Sequence, residues 1–318
     1  MVENRKAVRI ASFNVQNMRL RVRDGAAHLD GARDEDIDED LGTDAAALDG
    51  VDRRLTAAVL KTADADVVSL QEVFNQETLD YFHDRVLVPG GVPPYPYRVC
   101  LPGNDGRGLN VAVMSRLPID DVTGHAAETP SSLDLNSATA LGPDARIFRR
   151  DCLEVSVGRL TAFVCHFKAP YPDTASVFEI RRLEAAAVRR LIERRFDDPA
   201  ENLWLILGDL NEPAVAETDP ERTIAPVFQD FAVDLLSRIP AQERWTFHQP
   251  HSTVYTCPDA LLASPALAAQ WPDVRPEILR IGLDRAAERY TGARLAGVGA
   301  HRPHASDHAA LSVDFPGL

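Results

Sequence analysis

"LWLILGDLNEP" occupies residues 203–213. Leu203, Trp204, Leu205, Ile206 and Leu207 run without the polar alternation of a half-solvated strand, which predicts a strand buried on both faces. The chemistry reverses at Gly208, a residue that lets the chain turn without a crowding side chain. Asp209 and Asn211 follow two residues apart, and strand periodicity sends both to one side. A carboxylate and a carboxamide thus close a segment otherwise fit for the protein interior.

Other apolar runs end the same way. Asn14 closes "VRIASFN", Glu72 closes "DVVSLQE" and His166 closes "LTAFVCH". Asp259 opens "DALLAS", and Asp307 with His308 opens "DHAALSVDF". Any one of these could be an ordinary turn former. Eight of them, comprising two carboxamides, four carboxylates and two histidines, point to a rim where rigid strands present convergent polar groups. Carboxylates with Asn are hard oxygen donors suited to Mg²⁺ or Mn²⁺. Imidazoles can donate to an anionic oxygen, and a carboxylate can orient water. Together these are the parts needed to hydrolyse a phosphate ester.

The intervening sequence supports an α/β chain without an internal repeat. Strands are expected at 7–15, 65–73 and 108–115, and helices at 51–64, 75–87 and 174–196. The last helix spaces Ile180, Leu183, Ala187 and Leu191 by three and four, and its six arginines stand among Glu179, Glu184 and Glu193. That mixture reads as a solvated face in preference to a nucleic-acid stripe. "RIFRRDCLEVSVGRLTAFVCHFKAP" (146–170) reads as a hairpin turning at Gly158-Arg159. Its register pairs Val157 with Leu160, Val155 with Ala162 and Leu153 with Val164. Extended further, it pairs Asp151 with His166 and Arg149 with Lys168, and sets Cys152 against Cys165 as reduced, packed thiols.

Composition sets the outer bounds. The 318 residues are 45% hydrophobic and 26% charged, as in ordinary globular proteins. No run approaches a membrane span, and the first residues lack a signal-peptide core, so a cytoplasmic location is expected. Four cysteines without metal spacing suggest small buried hydrophobes. The net charge is −14, but Asp24 to Asp52 holds eleven acidic residues and one arginine, a local balance of −10. This predicts a solvated acidic loop, or one that repels long polyanions or gathers cations. No obligate protein partner is evident.

In their order, "FNVQN", "SLQEV", "CHFKAP", "GDLNEP", "DALLAS" and "ASDHAAL" resemble the endonuclease/exonuclease/phosphatase superfamily, the pancreatic deoxyribonuclease-like metal-dependent phosphoesterases. The resemblance spans residues 8–314. It implies a four-layer α/β/β/α sandwich, two packed mixed β-sheets flanked by helices, forming one domain over 1–318. It also implies a metal site at Glu72 with Asn14 and Asp307, and a water-orienting role for Asp209. Asn211 would position phosphate and water, and His308, oriented by Asp259, would contact phosphate. His166 would stabilise the transition state or assist the leaving oxygen. The family's phosphate-contacting arginine falls on Arg150, whereas the hairpin register puts Arg149 on the His166 face. Asn110 is a further rim candidate or a satisfied strand residue. Pro258 before Asp259 departs from the usual apolar neighbour, and residues 265–305 read either as a helix and surface loop or as a specificity insertion.

The implied function is a metal-dependent phosphoesterase acting on phosphodiester bonds, foremost an endonuclease-like nuclease with DNA or RNA as substrate. Small-molecule, phospholipid or inositol phosphates are the alternative, and a catalytically silent binding protein is the third. Arg107, Arg149, Arg150, Lys168 and Arg302 are the cations available for a basic rim.

Overall fold

The structure, a computed structural model, describes residues 7–33, 42–138, 141–171, 174–212, 222–249 and 252–318. In chain order the strands are β1 (Val8–Met18), β2 (Leu20–Arg23), β3 (Ala26–Leu29), β4 (Val67–Val73), β5 (Tyr97–Val99), β6 (Asn110–Ser115), β7 (Asp121–Gly124) and β8 (Leu153–Val157). There follow β9 (Leu160–His166), β10 (Trp204–Asp209), β11 (Val233–Asp234), β12 (Phe247–His248), β13 (Tyr255–Thr256), β14 (Asp259–Ala263), β15 (Glu277–Leu279) and β16 (Ala310–Phe315). The α-helices are α1 (Gly42–Ala63), α2 (Gln76–Phe82), α3 (Ala175–Arg195), α4 (Ala225–Phe228) and α5 (Pro265–Gln270).

Two mixed sheets of six strands result, ordered β15-β16-β1-β4-β6-β5 and β11-β14-β10-β9-β8-β7. Each has one parallel pair at its centre, β1 with β4 and β9 with β10. A helix of more than twenty residues, α1 or α3, lies between the strands of each pair, as a parallel crossover requires. The sheets pack face to face, and each carries helices on its outer side, giving the four layers α/β/β/α.

β10 shows why its sequence is apolar throughout. Leu205 and Leu207 enter the core between the sheets with Val111, Val155, Val164 and Leu311. Trp204, Ile206 and Leu210 enter the opposite core beneath α3, beside Phe163, Leu183 and Leu191. Gly208 lies at φ +130°, and a Cβ there would sit 2.0 Å from the Cys165 carbonyl oxygen of β9. Only glycine allows that close approach. Leu55, Val59 and Leu60 of α1 pack on Val68 and Leu70 of β4 in the matching layer of the first sheet.

The hairpin forms with the expected register from Val157↔Leu160 to Leu153↔Val164. Cys152 and Cys165 are free thiols 3.7 Å apart. The register stops there because β8 begins at Leu153. Asp151 does not meet His166; its Oδ1 accepts the His125 backbone N–H at 2.6 Å. Arg149 is exposed and Arg150 is buried, so the pairing of Arg149 with Lys168 on the His166 face does not form.

The acidic stretch is only partly a loop. Its second half is the start of α1, and Asp30, Asp49 and Asp52 are buried. Arg33 pairs with Asp49, Arg21 with Asp30, and Arg302 with both Asp49 and Asp52. Fully buried Arg53 donates to the carbonyls of Val15, Gln16, Asp30 and Gly31. Residues 34–41 of this stretch lie outside the described residues. The 265–305 stretch is likewise more than a surface loop: Leu279, Val298 and Ala305 join the α1-side core. The α3 arginines form no open stripe. Arg181 is buried against Thr223, while Arg189, Arg194 and Arg195 pair with Glu193, Asp134 and Glu154. Among the described residues, no helix is long and apolar enough to cross a membrane.

Two stability predictions follow from these buried charges. Arg53→Met leaves four carbonyls without their donor and should cost about 3–5 kcal/mol, read from urea unfolding; a change within error would remove the network from the fold's supports. Glu184 of α3 is fully buried and accepts the backbone N–H groups of Arg149 (3.2 Å) and Lys168 (2.7 Å). Burial pushes its carboxyl up to about 7 against those two donors. Because the folded state holds this proton more tightly than the unfolded one, its contribution is full below about pH 4.5 and is lost as pH rises through about 7. The stability difference between wild type and Glu184→Gln should therefore shrink by up to about 3 kcal/mol across that window; a pH-independent difference would contradict it.

Candidate active site

The two parallel pairs place the carboxyl ends of β1, β4, β9 and β10 on one rim of the sandwich. Their antiparallel partners β14 and β16 begin at that rim. This topology brings Asn14, Glu72, His166 and Asp209 from strand ends together with Asp259 and Asp307–His308 from strand starts. Asp209 stands directly opposite His166 on one side and Asp259 on the other.

Asp209 is the hub. Its Oδ2 accepts from Asn14 Nδ2 at 3.1 Å and lies 3.5 Å from His166 Nε2 and 3.8 Å from His308 Nε2. Its Oδ1 accepts the backbone N–H of Asn211 at 2.9 Å. Burial raises its carboxyl to about 6; the nearby His308 lowers it, and the Asp259 and Glu72 charges raise it again. Asn211 has φ +51°, which turns the chain out of the strand, and its Nδ2 donates to the Phe167 carbonyl at 3.1 Å.

The two histidines are driven in opposite directions. Burial holds His308 down, but Asp259 overrides it: His308 Nδ1 lies 2.8 Å from Asp259 Oδ2, and the imidazole is raised well above its ordinary value. Thr246 Oγ1 donates to the same Asp259 oxygen at 2.6 Å, so Pro258 has not displaced this pair. Phe247 bridges to His308 through the backbone and lays its ring 4.9 Å from the imidazole. His166 is buried, with Nδ1 unpartnered, and burial together with Arg150, His308 and Arg107 lowers it well below the ordinary value. The same rim thus pushes one imidazole toward its charged form and the other toward its neutral form.

Glu72 sits at a bulge in β4 with φ +67°. Its Oε2 accepts the Asn17 N–H at 2.7 Å, and its Oε1 lies 3.4 Å from Asn14 Nδ2. Asn14 therefore turns its nitrogen to the two carboxylates, while its oxygen accepts from Gln16 N at 3.0 Å. The Asp307 backbone N–H donates to Gln16 Oε1, and Ser306 Oγ ties the same turn to the Asn14 carbonyl at 2.7 Å. Among the described residues no three or more His, Cys, Asp or Glu side chains are grouped closely enough to hold a metal ion by themselves. Glu72 and Asp307 are partly exposed carboxylates beside the buried Asp209, an open set of oxygen donors. That is the arrangement a hydrated Mg²⁺ or Mn²⁺ accepts, with water and substrate completing the shell.

The other candidates have internal partners. Arg150 is buried, 3.0 Å from Asp105 and donating to the Phe167 carbonyl. Asn110 is a satisfied structural residue, holding Gly103 N and the carbonyls of Phe74 and Gly108. Arg302 is committed to Asp49 and Asp52, and Lys168 Nζ to the carbonyls of Ala169 and Tyr171. Arg107 lies 3.6 Å from Asp105, and Arg149 is exposed. Sequence reading missed Gln16, Asn17, Thr246 and Phe247; Gln16 and Asn17 were signalled by their place in "FNVQN", whereas Thr246 and Phe247 stand in no motif and join the site through Asp259 and His308.

Several solved structures share this architecture. An AP endonuclease from Archaeoglobus fulgidus superposes with TM-score 0.57 at 16% identity, covering 97% of this chain and 99% of that one. TDP2 from D. rerio, complexed with a single-strand DNA product, gives 0.56 at 17% identity over 98% and 99%. An endonuclease/exonuclease/phosphatase family protein from Leptotrichia buccalis gives 0.58 at 13% identity over 97% and 99%. No curated protein matches the chain significantly. The model of the Endonuclease/Exonuclease/phosphatase family matches residues 11–308, and the chain belongs to that family of phosphoester hydrolases.

Proposed function

We propose that this protein is a divalent-metal-dependent phosphodiesterase, a nuclease of the endonuclease type, in which residues 1–318 form one catalytic domain. The observation that carries the reading is the placement of Asp209 among Asn14, His166 and the Asp259–His308 pair, on a rim that also holds Glu72 and Asp307. Glu72 and Asp307, with Asn14 beside them, are the residues that would hold Mg²⁺ or Mn²⁺, and such a cation supplies Lewis-acid stabilisation of phosphate charge.

Asp209 orients a water molecule for in-line attack on phosphorus and takes up its proton. His308, kept protonated by Asp259, donates to a phosphate oxygen as charge builds there. His166 is the neutral imidazole, suited to a hydrogen bond at the leaving oxygen. Asn211 has a second amide N–H beyond the one used by Phe167, which positions phosphate or water. Arg150 acts at one remove: its ion pair with Asp105 and its bond to the Phe167 carbonyl brace the loop after His166. The 265–305 stretch, ending beside Asp307, shapes which substrate reaches the rim.

The single-strand DNA product held by the D. rerio TDP2 relative and the AP endonuclease relative support a nucleic-acid substrate. A second reading, hydrolysis of a small or lipid phosphate ester, is favoured by the commitment of Arg150, Arg302 and Lys168 to internal partners. That commitment leaves few rim cations to track a polyanion.

Glu72→Gln and Asp209→Asn should each lower metal-dependent phosphodiester cleavage at least about 100-fold with the fold retained by circular dichroism. Full activity in either variant would refute the assignment. In a Mg²⁺ or Mn²⁺ assay panel, DNA or RNA should be cleaved, with a rate that falls steeply with salt. Turnover confined to nucleotide, inositol or lipid phosphates would transfer the function to the second reading.

A further inference from the structure

The segment "HRPHASDH" (301–308) carries a histidine that the hydrolytic scheme does not use. His304 is 1% exposed, and its Nε2 lies 3.0 Å from Gln16 Oε1. Gln16 occupies the irregular end of β1, where Gln16 and Asn17 both have positive φ and the register with β4 shifts. Its backbone N–H donates to Asn14 Oδ1 at 3.0 Å, and its side-chain oxygen accepts the Asp307 N–H at 3.1 Å. One residue thus spans two of the three candidate metal-site positions, and His304 closes on that residue from behind.

The hydrogen-bond directions are set by elimination. The Asp307 peptide N–H can only donate, so the amide oxygen of Gln16, and not its nitrogen, must face it. His304 Nε2 shares that oxygen and is therefore a donor. The other ring nitrogen, Nδ1, lies against the His301 carbonyl and 3.8 Å from Asp284 Oδ2; a neutral ring donates from one nitrogen only, so the bond to Gln16 requires the Nε2–H tautomer or the imidazolium. The ring itself is fixed through its backbone: His304 N donates to Asp52 Oδ1 at 3.0 Å, and Thr56 Oγ1 holds the next carbonyl, of Ala305, at 2.7 Å. Asp52 in turn binds Arg302, and Arg53 holds the carbonyls of Val15 and Gln16. The chain 301–306 and the bulge 15–17 are thereby locked to one face of α1.

We propose that His304 is a positioning residue for the metal cradle, acting through Gln16 to fix the Asp307 backbone relative to Asn14. This rests on the metal site assigned above to Glu72 and Asp307. Groups that orient ligands typically change metal affinity 10–100-fold when removed.

The test is Mn²⁺ binding to the whole protein, read by electron paramagnetic resonance of free Mn²⁺, with thermal melting alongside. His304→Phe keeps a ring but removes the donor and should weaken Mn²⁺ binding about 10–100-fold. His304→Gln restores an N–H and should recover most of that loss. Gln16→Leu should show a similar loss, and the two losses should not add in the double variant. Gln16→Leu carries the test alone if His304→Phe does not fold. Wild-type Mn²⁺ affinity in the folded Phe and Leu variants, or additive losses, overturns the role of His304. If Glu72→Ala still abolishes binding in that case, the metal site stands without it; absence of Mn²⁺ binding by the wild type overturns both.

Discussion

A carboxylate buried where two sheets meet is the constraint on which this site depends. Asp209 ends a strand that is apolar on both faces, so its charge lies in surroundings that disfavour it. The fold compensates with donors from three elements: Asn14 from β1, the Asn211 amide just beyond β10, and the His308 cation before β16. Only the Asn211 amide is local; Asn14 and His308 come from distant strands, because the neighbours of Asp209 within β10 are core residues. The convergence follows from the parallel pairs β1/β4 and β9/β10, which send four strand ends to one edge. Gly208 completes the geometry by letting β10 and β9 approach closely at their last residues.

The opposed histidines are a consequence of the same packing. Both imidazoles are buried near Asp209, yet only His308 has a carboxylate at hydrogen-bond distance from its far nitrogen. His166 has nothing on Nδ1 and faces the positive field of Arg150. Two identical side chains are therefore biased in opposite directions, His308 toward the charged form and His166 toward the neutral one. This division of labour is set by second neighbours, Asp259 and Arg150, and not by the histidines themselves.

Much of this was legible in the sequence because strand chemistry is local. The run 203–207 identified a doubly buried strand, the glycine turn identified the register of β8 and β9, and polar residues at strand ends identified the rim. What was not legible depended on distant partners or on backbone angles. The stretch 24–52 reads as a solvated acidic loop because its counter-charge Arg302 lies some 250 residues further along the chain. Arg149 and Arg150 cannot be told apart by periodicity once the strand ends at Leu153. Gln16, Asn17 and Glu72 owe their orientation to positive φ, which glutamine, asparagine and glutamate do not advertise.

The described part of the acidic stretch bears on the electrostatic argument about substrate, although six of its eleven acidic residues lie outside the described residues. If those aspartates were a free loop, the net charge of −14 would be a mobile barrier to a polyanion. Asp30, Asp49 and Asp52 are instead neutralised internally by Arg21, Arg33 and Arg302. The same pairing removes Arg302 from the rim, so burying the acids and losing a substrate-facing cation are one structural event. What this network gains is placement: it anchors the chain leading to Asp307 against α1 and the end of β1. The acidic stretch thus contributes to the architecture of the rim, a role that net charge alone does not reveal.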